Sequence, residues 1–180
     1  MEQRQLSTKT YAMHFGAYMG VYWILKFILV PLSFTVPFLQ FLFIGLTIGV
    51  PFMGYYYLKI YRDKICKGSI TFSHAMLFVM LVYFFAAMLV SVAHFLYFQF
   101  IDNGFIVAAL TNQMDQVLEI NKDAADYDLL LSTVTSFKDE AGTLTAAKIT
   151  LRLFSNNITA GLLLAIPTAL IGKRKFKTMN

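Results

Sequence analysis

The segment FSHAMLFVMLVYFFAAMLVSVAHFLYFQFI, residues 72–101, contains no Asp, Glu, Lys or Arg. A helix rises about 1.5 Å per residue, and the hydrocarbon core of a bilayer is about 30 Å thick. A stretch this long and apolar reads as a transmembrane helix, because a helix satisfies every backbone N–H and C=O internally. The charge changes sign across it. Before it, Tyr61–Thr71 holds Arg62, Lys64 and Lys67, with Lys59 just upstream. After it come eight of the chain's ten acidic residues: Asp102, Asp115, Glu119, Asp123, Asp126, Asp128, Asp139 and Glu140.

Three further stretches are long and apolar enough to span: Tyr11–Val30, Val36–Ile60 and Leu153–Ile171, the last entered by a helix beginning near Thr145. The 180 residues are 58% hydrophobic with a mean hydropathy of +0.62. A soluble domain of this size could not cover that much apolar surface. The fold class expected is therefore all-α: a polytopic membrane protein with four transmembrane helices. One membrane domain, 1–180, is expected, with residues 102–150 forming a helical segment outside the bilayer. The first span, preceded by Arg4 and Lys9, is too long for a signal-peptide core and is read as uncleaved.

Orientation follows from the basic residues. The N-terminus, the loop around Arg62 and the tail Lys173, Arg174, Lys175 and Lys177 all carry positive charge. The positive-inside rule places all three in the cytoplasm and 102–150 on the opposite, periplasmic side. Basic residues that flank apolar segments do not form a nucleic-acid stripe, so the net charge of +5 implies no nucleic-acid partner. Cys66 is the single cysteine, which excludes an intrachain disulfide and a cysteine metal cage.

The acidic segment is not read as disordered. Ile106, Val107, Leu110, Met114, Val117 and Leu118 recur at helical spacing, and Leu129, Leu130, Thr133, Val134 and Phe137 do so again. Asp123–Asp128 breaks the two runs. Two amphipathic helices are expected there, packed on each other or lying on the membrane. Asp123, Asp126 and Asp128 lack the order of a calcium loop.

Within the spans, Gly16 and Gly20, Gly45 and Gly49, and Gly161, Ala165 and Ala169 lie at four-residue steps, which let helix backbones approach closely. This spacing suits an intramolecular bundle and a homo-oligomer equally. Pro31 and Pro37 bracket the first connection; Pro51 and Pro167 should kink their spans. Tyr55, Tyr56, Tyr57 and Tyr61 at one end and Tyr97 at the other match interfacial belts.

Ionisable and polar residues at membrane depth are functional candidates. Lys26, Gln40, Ser91, His94, Asn156 and Asn157 fall roughly 5–15 Å below the outer boundary, so each span offers a polar side chain there. If they face inward, they form one binding pocket. The competing readings are a Lys26 that snorkels to the outer headgroups, a neutral His94 bonded to a neighbouring helix, and asparagines that join helices. His14 and His74 lie near the inner ends, where a structural role is expected. No Asp or Glu lies within any of the four stretches, which argues against ion-coupled transport. No metal motif, phosphate-cradling loop or nucleophile elbow appears, so neither a cofactor nor catalysis is expected.

The inner loop Tyr61-Arg62-Asp63-Lys64-Ile65-Cys66-Lys67-Gly68-Ser69-Ile70-Thr71-Phe72 resembles the signature of a bacterial four-span family, domain of unknown function 4199. The resemblance extends over nearly the whole chain. It implies an inner-membrane protein of Bacteroidota-type bacteria, without an established activity, and an association with glycosyltransferases acting on polyprenyl phosphates. Similar sequences often carry a second glycine where this chain has Lys67. Read from the residues alone, the loop is a tight charged hairpin: Lys59 and Asp63 are one helical turn apart and can pair, Gly68 supplies the turn, and Ser69, Thr71 or Ser73 can cap the third span. Alternatively Arg62, Asp63, Lys64 and Lys67 dock a cytoplasmic partner. The function expected is a non-catalytic accessory or scaffold subunit of a membrane assembly, connected with envelope glycolipid or glycosyltransferase work. The alternative is a lipid or small-molecule carrier using the outer polar pocket.

Overall fold

The computed structural model describes residues 2–174, with side chains from Thr8 onward. Six helices follow in order: α1 (Glu2–Ser33), α2 (Phe38–Lys64), α3 (Phe72–Phe100), α4 (Phe105–Ile120), α5 (Tyr127–Ala141) and α6 (Ala146–Gly172). Among the described residues there is no strand, only an isolated antiparallel bridge between Ile70 and Arg174. Residues Thr8–Ser33 of α1, and α2, α3 and α6, are each long and apolar enough to cross a membrane. The chain divides into two compact units, Met1–Ala93 with Arg152–Asn180, and His94–Leu151.

In the first unit α3 is the most buried span and α2 the least. Phe78, Val79, Val82, Tyr83, Ala86 and Ala87 of α3 are buried against Ala12 and Met19 of α1, Leu58 of α2 and Ala165 and Ala169 of α6. The glycines explain how the helices come this close. A Cβ on Gly16 would stand 2.5 Å from the Phe85 Cβ and 2.9 Å from the Val82 carbonyl oxygen, and one on Gly161 would stand 2.8 Å from the Tyr83 Cβ. So α1 and α6 cross α3 where they lack side chains, as four-residue spacing of small residues permits. Gly45 differs: a Cβ there would meet nothing within 4 Å among the described residues, so it marks no such close crossing there. Pro31 does not end the first span, because α1 continues to Ser33, whose hydroxyl donates to the Val30 carbonyl at 2.7 Å.

The second unit contains the acidic hairpin. The chain leaves α3 through Asn103 and Gly104, both with positive φ (47° and 80°). Asp102 is buried, and its Oδ1 accepts the Ile106 N–H at 3.2 Å, satisfying a first-turn donor of α4. Helices α4 and α5 pack on each other. Ile106, Leu118 and Val134 are buried, and Lys138 pairs with Asp115 across the two helices. The polar break is a pair of turns over Asn121–Tyr127. Thr145 accepts the Lys148 N–H at 3.2 Å and starts α6, as its position in the sequence suggested.

Candidate functional site

At the basic end of the first unit, charged and polar side chains are held by backbone and by one another. Arg62, in the last turn of α2, is only 7% exposed. Its Nη1 donates to the carbonyl of Gly172, the last residue of α6, at 3.0 Å. A guanidinium there satisfies one of the orphan carbonyls at a helix C-terminus and meets the negative end of its dipole. The same side chain forks onto Asp63, Nε to Oδ1 at 2.7 Å and Nη2 to Oδ2 at 3.2 Å. The Lys59–Asp63 pairing expected from helical spacing is thus replaced: Asp63 binds Arg62, whose rigid planar fork matches a carboxylate better than an ammonium does. Ile70 and Arg174 exchange two backbone hydrogen bonds, at 2.9 and 3.0 Å, which clip the loop to the end of α6.

Tyr61 does not belong to an interfacial belt. It is 1% exposed and stacked on Phe78 with ring centroids 4.0 Å apart. Its hydroxyl lies 2.7 Å from the Thr8 hydroxyl and 3.0 Å from Nε2 of His74; Thr8 and His74 are themselves 3.1 Å apart. This closed triangle ties α1, α2 and α3 together. It gives His74 the structural role expected of it, but as a member of a shared network. Sequence spacing could not reveal it, because Thr8 and His74 are separated from Tyr61 by 53 and 13 residues.

The loop turns through Lys67, φ +53°, and Gly68, φ +82°. A side chain at positive φ is strained, so a glycine would suit the Lys67 position better than lysine does. Thr71 caps α3, accepting the His74 N–H at 3.4 Å. Of the four residues proposed for docking, Arg62 is buried in the clasp, while Asp63, Lys64 and Lys67 are exposed.

The six candidates for the polar pocket have different surroundings. Lys26 Nζ donates to Thr47 Oγ1 at 3.1 Å and stands 4.9 Å from the centroid of the Phe43 ring and 6.0 Å from that of Trp23. Ser91 donates to the Ala87 carbonyl of its own helix at 2.6 Å. Gln40 and Asn156 are exposed, and Asn157 is half-buried. His94 is 5% exposed and packs edge-on against Phe98 in the second unit. Lys26 therefore does not reach for the nearest helix end, since its ammonium is held against α2. An apolar groove of about 290 Å³ lies between α3 and α6, lined by Leu77, Met80, Leu81, Phe84, Ile158 and Leu162 among others; none of the six polar candidates lines it. A concavity of about 350 Å³ in the second unit is lined by Asp102, Val107, Gly142 and Ile149 among others. Among the described residues no group of three His, Cys, Asp or Glu could hold a metal ion.

A bundle of four long apolar helices whose basic end is closed by a backbone-directed arginine defines a polytopic α-helical membrane protein. The chain belongs to the family described as Protein of unknown function (DUF4199), whose model matches residues 14–174. No curated protein and no solved structure matches it.

Proposed function

We propose that the protein is a non-catalytic accessory or scaffold subunit of a membrane assembly, set in a bacterial inner membrane with its basic end in the cytoplasm and its acidic hairpin in the periplasm. The observation that carries this reading is the use of the polar side chains at the basic end. At the basic end they are committed to holding helices together, as in the Arg62–Gly172 and Tyr61–Thr8–His74 contacts. Within the spans, Lys26 is held by Thr47 of α2 and Ser91 by a carbonyl of its own helix. Lys59, Lys64 and Lys67 remain exposed for a cytoplasmic partner. Envelope glycolipid synthesis is the setting that the family resemblance favours.

Purification of the full chain from its native membrane in a mild detergent tests this. A second protein should co-elute at fixed stoichiometry; a single-species, monodisperse product would count against the proposal. The carrier reading draws on the apolar groove between α3 and α6, which has room for part of an acyl chain. It requires that filling the groove with Leu81→Trp or Leu162→Trp change the lipid retained in native mass spectrometry, and unchanged retention in both would remove it.

A further inference from the structure

Lys26 is the one basic residue in the apolar interior of the first span, and its surroundings raise the question of its counter-charge. It lies seven residues before Ser33, the end of α1, or about 10 Å along the axis. Thr47, which holds the ammonium, lies nine residues into α2, or about 13 Å. Side chains on a helix tilt toward its N-terminus, so Lys26 is directed away from the nearer helix end. Helices of this length exceed a hydrocarbon core of about 30 Å by roughly 5 Å at each end. With the helices centred on such a core, the ammonium would lie about 5–10 Å below the hydrocarbon boundary.

The chain compensates the charge only in part. Thr47 Oγ1 donates its own proton to the Phe43 carbonyl at 2.7 Å, which leaves a lone pair for the ammonium. The Phe43 ring presents its π system 4.9 Å away. Beside these, Trp23 is 7% exposed and its indole Nε1–H has no acceptor among the described residues. No carboxylate pairs with Lys26 among the described residues, and the apolar stretches of all four spans contain none. The seam is open: Lys26 is half-buried, and Gln40, Ile44 and Thr47, at i, i+4 and i+7 on α2, are exposed.

We infer that this seam between α1 and α2 receives a transmembrane helix of a different protein that carries an Asp or Glu at the depth of Lys26. Charge complementarity selects the partner. A cation in hydrocarbon is costly unless an anion meets it, and a carboxylate on a neighbouring helix meets it at its own level, to which a headgroup would have to sink. A second copy of this chain has no intramembrane carboxylate to offer, so the contact is heteromeric. Gln40, exposed on the same face of α2, supplies a further hydrogen-bonding group along the seam. The inference rests on the accessory-subunit reading and names the chemistry of its partner.

The test purifies the full chain from native membranes after brief in-membrane cross-linking and compares wild type with Lys26→Met and Lys26→Arg, each checked for an unchanged melting temperature. A stoichiometric partner with an Asp or Glu inside a span is expected. Its recovery should fall at least tenfold with Lys26→Met and be kept with Lys26→Arg. Lys26→Asp should lose the partner and regain it when the partner's carboxylate is replaced by Lys. A partner indifferent to Lys26→Met overturns the inference and leaves the accessory-subunit reading standing. Recovery of no partner overturns both. Lys26-dependent retention of an anionic lipid without a protein partner also overturns it.

Discussion

The basic end of the first unit and the acidic hairpin of the second both carry many charges, yet they use them differently. At the basic end one charge is turned inward: Arg62 is buried and reaches a helix C-terminal carbonyl 110 residues away in the chain. In the acidic hairpin the pairs stay at the surface, Lys138 with Asp115 and Lys122 with Glu119, all four side chains substantially exposed. The lesson is that burial, and not the number of charges, decides what a charge contributes. A donor to an otherwise orphaned carbonyl in a shielded place holds elements together, whereas exposed ion pairs are screened by water and salt.

Substitutions at the two ends sharpen this contrast. Arg62→Ala should have the largest effect, because it strands the Gly172 carbonyl and frees Asp63; a loss of about 2–3 kcal/mol is expected in denaturant unfolding of the detergent-solubilised chain. Tyr61→Phe keeps the stack on Phe78 but leaves Thr8 and His74 without the hydroxyl, and should cost about 1–2 kcal/mol in the same assay. Lys67→Gly should run the other way and stabilise by about 0.5–1 kcal/mol, since glycine takes positive φ without strain; a lower melting temperature would refute that explanation of the turn. Lys138→Ala at the acidic hairpin should be smallest, roughly 0.5 kcal/mol or less, and its effect on hydrogen exchange in α4 and α5 should vanish in about 1 M salt, where the screening length is near 3 Å. If Arg62→Ala were equally salt-sensitive, the contrast between the ends would fail.

The covering of Arg62 had no signal in its own neighbourhood. Helical spacing offers Lys59 for Asp63, and the residues of the loop read as a tight charged hairpin. What could have raised the question is the adjacency of Arg62 and Asp63, a pair able to bind bidentately, at the end of an apolar helix. Tyr61 likewise looked like one more interfacial tyrosine, because three others precede it within six residues. Its burial depends on which face of α2 meets α1 and α3, and a helix that is apolar on every side does not disclose this. Lys26 was legible as an ionisable residue at depth, but snorkelling and binding predict the same sequence. The direction of its side chain, toward Thr47 and Phe43, depends on the packing of α1 on α2.

The amino-acid sequence by itself determined the four spans, the two amphipathic helices with their break, a Ser or Thr cap ahead of the third span, and the start of the last helix near Thr145. These depend on local periodicity, on the length of apolar runs and on hydrogen bonds within one turn. Only the tertiary structure decided which glycines are crossings and which is open, that Asp63 belongs to Arg62, and that Thr8, Tyr61 and His74 form one network. Those outcomes depend on which faces of uniformly apolar helices come together, which is fixed by packing between residues far apart in the chain and not by any pattern along it.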